Sequence, residues 1–153
     1  MLAACSPKFD WRDFRSEVAP FGVMFPGKPA VHTRAVNLDG QDVKMTMSAA
    51  EVDGTLFAVG TAELPDAAKA ALAVQAMKTA MLRNIGGTVT KEGTKNGAFE
   101  VEARGTGQNG SAVAMHGRFL SRDKRVYQVV ILGSQKHFDQ DTVDTFLSSF
   151  KLY

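Results

Sequence analysis

The strongest constraint on this fold is one stretch of helical period in a chain otherwise patterned for strands. Pro65 and Asp66 precede it and Gly86-Gly87 follow it, so the pattern predicts a helix from Ala67 to Ile85. Asp66 is placed as the N-cap, because its carboxylate can accept bonds from the first free backbone N–H groups. Gly86 can take the left-handed conformation that closes a helix. At about 100° per residue, Ala67, Ala70, Val74, Met77, Met81 and Ile85 share one stripe, and Lys69, Thr79 and Arg83 lie away from it. Such a stripe needs an apolar surface. Met81 is expected to be buried against a sheet, together with Val129 or Val130.

The sheet is read from alternation. Phe21, Val23 and Phe25 mark one strand, which Pro26-Gly27-Lys28-Pro29 ends; Val31 to Leu38 is a second. Met45, Met47 and Ala49 share a face of the next, and Thr55 to Leu64 leads into the helix. Beyond it, Thr88 to Glu92, Phe99 to Ala103, Ala112 to Leu120 and Arg125 to Leu132 continue the pattern. Asp39-Gly40, Asp53-Gly54 and Asn96-Gly97 are hairpin signals, because both central residues of a type I′ turn need positive φ. Val126 to Leu132 leaves few polar positions and reads as a central strand covered on both faces. A second helix follows, capped by Asp139, with Val143, Phe146, Leu147 and Phe150 as its buried stripe. The expected architecture is α+β: one domain, a largely antiparallel sheet of about six to eight strands, and two flanking helices.

Composition narrows the function. The 18 basic and 16 acidic residues leave a net charge of +2, too small to point to nucleic acid, which needs a clustered basic face. The single cysteine, Cys5, excludes an internal disulfide and a four-cysteine metal site.

Leu2-Ala3-Ala4-Cys5 resembles the lipobox of bacterial lipoproteins. Small residues before the cysteine suit a signal-peptidase cleft, and the thiol is the nucleophile that accepts the lipid. The resemblance implies a membrane anchor on Cys5, with an apolar signal segment expected upstream of Met1. Ser6 after the cysteine suggests, by the same resemblance, sorting to the periplasmic face of the outer membrane. Residues 1–17 then read as lipobox remnant and tether, and 18–153 as the domain. Phe9, Trp11 and Phe14 are more aromatics than a free tether needs, so some are expected to dock on the domain; Trp11 beside basic residues also fits a membrane interface.

Phe21-Gly22-Val23-Met24-Phe25-Pro26-Gly27-Lys28-Pro29, Val126-Tyr127-Gln128-Val129 and Phe146-Leu147-Ser148-Ser149-Phe150, with the long middle helix between them, resemble the PsbP-like fold. That family includes the photosystem II extrinsic subunit PsbP and a Ran-binding nuclear factor. The resemblance implies a layered sandwich that acts mainly by binding proteins, with no catalytic residues to carry over.

Chemistry-bearing motifs are sparse. His32, His116 and His137 are widely spaced, and His116 is expected to be a surface or partly satisfied histidine. Met77 and Met81 on the helix stripe make methionine a packing residue rather than a copper ligand. Gly105-Thr106-Gly107-Gln108-Asn109-Gly110 matches Gly-x-Gly-x-x-Gly but precedes a strand, so no helix N-terminus is there to hold pyrophosphate. No metal or cofactor is expected. The reading is a non-enzymatic binding or scaffold domain with a protein partner; the alternative is a small-ligand carrier or an enzyme whose site is assembled from distant loops. Two loops are the candidate partner-binding surfaces: Pro26, Lys28 and Pro29 in one, Gly107 and Asn109 in the other.

Overall fold

The computed structural model describes residues 9–107 and 109–153. The Cys5 assignment lies outside the described residues. The order of elements is β1 (Arg12–Arg15), β2 (Phe21–Phe25), β3 (Ala30–Leu38), β4 (Gln41–Val52), β5 (Thr55–Glu63), α1 (Ala67–Asn84), β6 (Thr88–Lys95), β7 (Ala98–Thr106), β8 (Ala112–Arg122), β9 (Arg125–Ser134), a 3-10 turn (Gln135–His137), α2 (Gln140–Ser149) and β10 (Lys151–Leu152). Seven strands form one antiparallel sheet in the order β3-β4-β5-β9-β8-β7-β6. A three-stranded sheet, β1-β2-β10, lies beside it. Among the described residues no helix is long and apolar enough to cross a membrane.

The local signals act as their chemistry predicts. Asp66 Oδ1 accepts the Lys69 N–H at 2.8 Å and opens α1. Ile85 is its C-cap, and Gly86 follows at φ +57°. Asp39-Gly40, Asp53-Gly54 and Asn96-Gly97 all have positive φ at both residues, so each hairpin turns in the sense that suits the strand twist. Asp139 caps α2 by accepting the Thr142 N–H at 3.2 Å.

The sheet separates two cores. Under α1 lie Ala62, Val101, Met115, Phe119, Val126 and Val130, meeting Ala70, Ala73, Val74 and Met77. On the opposite face Phe57, Val59, Tyr127, Val129 and Ile131 pack with Val143, Phe146 and Leu147 of α2 and with Phe21, Val23 and Phe25 of the small sheet. β9 supplies both cores from alternate residues, as a strand covered on both faces must.

Two expectations are corrected. Met81 is only partly buried, while Ala73, off the expected stripe, is fully buried. The buried face of α1 is therefore centred on Ala70, Ala73, Val74 and Met77, and Met81 packs at the edge of the same core. The segment read as a tether is partly folded, because Arg12–Arg15 pairs with β2 from Arg12↔Phe25 to Arg15↔Gly22. Phe9, Trp11 and Phe14 all pack on the second core; Trp11 stands edge-on to Phe57 with centroids 6.2 Å apart. β10 pairs along the other side of β2, and the Arg15 guanidinium lies 4.0 Å over the Tyr153 ring. The second sheet was not evident from the strand pattern, since its members β1, β2 and β10 are not neighbours in sequence by hairpins alone.

Replacing Met77 by Ala is expected to cost about 2–5 kcal/mol in chemical denaturation, as for other large-to-small core changes. Met81→Ala is expected to cost about 1 kcal/mol, the centre of the range for point changes. The reverse order would place the helix in a different rotation.

Candidate functional site

α2 and the small sheet cover only the β5–β9 side of their face. On the β6–β8 side the same face is open, and α2 forms one wall of a cleft of about 750 Å³. Its floor is set by strand register. Glu102 stands opposite His116, and Glu100 opposite Arg118, across the β7–β8 pair. On β6, Lys91 faces Glu102 and Gly93 faces Glu100. Gln140, Asp144, Leu147, Ser148 and Phe150 line the helix side. Successive elements therefore carry alternating sign: lysines on β6, carboxylates on β7, a histidine and an arginine on β8, and Asp144 on α2.

The floor is partly dry. The His116 and Arg118 side chains are 14% and 18% exposed. Arg118 Nη1 donates to the Leu147 carbonyl at 3.2 Å, which ties the sheet to the last turn of α2. Its Nε lies 3.5 Å from Glu100 Oε1, and His116 Nδ1 lies 3.9 Å from Glu102 Oε1. Both nitrogens are buried and neither makes a hydrogen bond. The pairs are electrostatic contacts without good hydrogen-bond geometry, so they leave polar capacity unfilled at the bottom of the cleft.

Burial is the main influence on His116 and holds its pKa below the ordinary histidine value. Glu102, Glu100 and Asp144 oppose that shift by favouring the charged ring, and Lys91 reinforces it.

What this arrangement can do is bind polar groups of both signs. It lacks an assembled nucleophile. Ser148, the hydroxyl in the lining, donates to the Thr145 carbonyl at 3.5 Å rather than to His116. Among the described residues no group of three or more His, Cys, Asp or Glu is arranged to hold a metal ion. Met45 is buried in the core and Met47 Sδ lies 3.8 Å from Gln128 Nε2, so both are used in packing.

The loops singled out from sequence lie elsewhere. The Pro26–Pro29 connection enters β3, and the 107–111 loop joins β7 to β8 at the same end of the sheet. Four to five strand spacings separate them, about 19–24 Å, so they do not form one surface. Pro26 is buried and its carbonyl accepts the Asp10 N–H, while Lys28 is exposed. Gly105 meets the carbonyl of Ile85 so closely that a Cβ there would collide with it. Gly107 N–H donates to Ser111 O at 2.8 Å, and the Asn109 side-chain carbonyl accepts the Ser111 N–H at 3.1 Å, so this loop is closed by its own bonds.

Sequence reasoning left His116 as a surface or partly satisfied histidine and did not single out Lys91, Glu100, Glu102 or Arg118. The available signal was the pairing of a Glu-x-Glu strand with a His-x-Arg strand on one sheet face. It reads as an ordinary solvated face until α2 is known to stand beside it.

No known family model matches this chain, and comparison with curated proteins finds no match.

The His116 environment fixes the sign of a pH effect. With its folded pKa lowered, the unfolded chain takes up the proton first on acidification. Stability is therefore expected to fall as pH drops through about 6.5, the ordinary histidine value, and to level off below the folded value. His116→Gln should flatten this part of the curve in pH-dependent thermal unfolding. An unchanged slope would assign it to other groups.

Proposed function

We propose that this protein is a non-enzymatic binding domain, held at the periplasmic face of the outer membrane by lipid on Cys5, and that it engages a protein partner through the cleft beside α2. The observation that carries the reading is the open cleft itself: about 750 Å³ between α2 and the β6–β8 face, with charge of both signs in its lining. Rows of fixed charge favour a partner with complementary charge and penalise one without it. The layering supports the PsbP-like reading, with α1 on one face of a large antiparallel sheet and α2 on the other. The lipobox resemblance at Leu2-Ala3-Ala4-Cys5 supports the anchor.

A second reading, a small-ligand carrier, draws on the cleft volume, which falls within the range of about 300–1,000 Å³ usual for such sites. Those sites are lined mainly by apolar side chains, whereas the floor and rim here are charged.

Gly93 supplies a clean way to close the cleft. A Cβ at this position meets nothing within 4 Å, so Gly93→Phe adds a ring over the floor without touching the core. Photo-reactive side chains at Lys95, Lys28 and Asn109 should separate the surfaces. The expected result is a specific protein crosslinked from Lys95 and reduced at least about tenfold by Gly93→Phe, equivalent to about 1.4 kcal/mol. Crosslinks only from Lys28 or Asn109 would move the interface to the loops. A tightly co-purifying small molecule lost in Gly93→Phe would favour the carrier.

Mass spectrometry of the full-length product from a Gram-negative host is expected to find lipid on Cys5, and Cys5→Ala to abolish it. An unmodified native thiol would overturn the anchor.

A further inference from the structure

Building on the cleft reading above, we infer that the cleft accepts an extended peptide segment with an acidic residue at position i, a basic residue at i+2 and an acidic residue at i+4. Lys91 and Lys95 stand on the same face of β6 with Gly93 between them. Four residues of strand separate their Cα atoms by about 14 Å. Neither lysine makes an ion pair among the described residues. Gly93 puts no side chain between them, and the space above it is open. The next group across that gap is Glu100, directly opposite Gly93 in register and with its side chain 33% exposed. Read along β6, the two lysines flank the Glu100 carboxylate, which also meets Arg118, and Glu102 stands opposite Lys91.

A ligand matching it must be negative, positive, negative over the same length. A single phosphate or carboxylate cannot meet two lysines spaced in this way and would also face Glu100 and Glu102. A helix places i and i+4 only about 6 Å apart along its axis, which is too short. An extended chain has the period of the rim, since it too presents alternate residues to one face at about 3.4 Å per residue. The pattern reads the same in either chain direction, so the rim sets composition and spacing but not polarity. Behind it, the unfilled Arg118 Nε and His116 Nδ1 mark polar capacity at the floor.

Fluorescence anisotropy at low salt, on the full chain, tests this with two capped pentapeptides: Asp-Ser-Lys-Ser-Asp and its charge inverse, Lys-Ser-Asp-Ser-Lys. The first is expected to bind at least tenfold tighter. Lys95→Glu should shift the preference to Asp-Ser-Lys-Ser-Lys, and Gly93→Phe should abolish binding of all of them. Equal binding of both peptides, lost in Gly93→Phe, would overturn the charge pattern while leaving the cleft as the binding surface. Binding unaffected by Gly93→Phe would overturn both. Binding of neither peptide would overturn the pattern, and the Lys95 crosslinking experiment then decides the cleft reading by itself.

Discussion

Strand β9 buries both of its faces, with Val126 and Val130 under α1 and Tyr127, Val129 and Ile131 under α2 and the small sheet. Each fully buried side chain of this size contributes about 1.5–3 kcal/mol, so a few residues of one strand account for much of what holds the layers together. Because alternate residues serve different cores, a one-residue slip would exchange the two sets and mismatch every contact. The register is held by β5 on one side, Val59 against Val129, and by β8 on the other, Arg118 against Val129. α1 and α2 are therefore positioned by the same strand from opposite sides, and neither could shift without disturbing it.

The same geometry explains why a cleft exists. Seven strands at about 4.8 Å spacing make a sheet about 29 Å wide. A helix of ten residues is about 15 Å long and, with its side chains, about 10–12 Å across. Even with the three-stranded sheet beside it, α2 leaves the β6–β8 side uncovered. That side cannot be apolar, since it meets water, and cannot be freely solvated, since α2 crowds it. Opposed charges on neighbouring strands suit such a face. Glu100 and Arg118 are directly cross-strand, the arrangement in which opposite charges stabilise a sheet, and Glu102 stands opposite His116.

Much of this was legible in the chain because it depends on local chemistry. The caps at Asp66 and Asp139, the three turns with positive φ and the largely apolar run of β9 each follow from residues close together in sequence. What was not legible depends on distant partners. Arg12–Arg15 becomes a strand only because β2 is there to pair with it. Met81 lies on a sound helical stripe, but the packed face is turned toward Ala73, which leaves Met81 at its edge. The loop residues Lys28 and Asn109 stood out through proline and glycine, which report backbone geometry. The charged floor stood out through nothing local, because Glu102 and His116 become neighbours only when β7 and β8 pair.

The small sheet also sets an order of events. β2 lies between β1, which precedes it closely, and β10, whose Lys151 and Leu152 pair with Gly22 and Phe21. During synthesis β2 gains its first neighbour almost at once, but it waits for nearly the whole chain before it gains its second. Until residues 151 and 152 have been made, one flank of β2 has no ladder, and Phe21 lacks the Phe150 ring that later lies 5.7 Å away. Lys151 and Leu152 thus act as a clasp on strands made much earlier, and the small sheet is complete only once they have closed on β2.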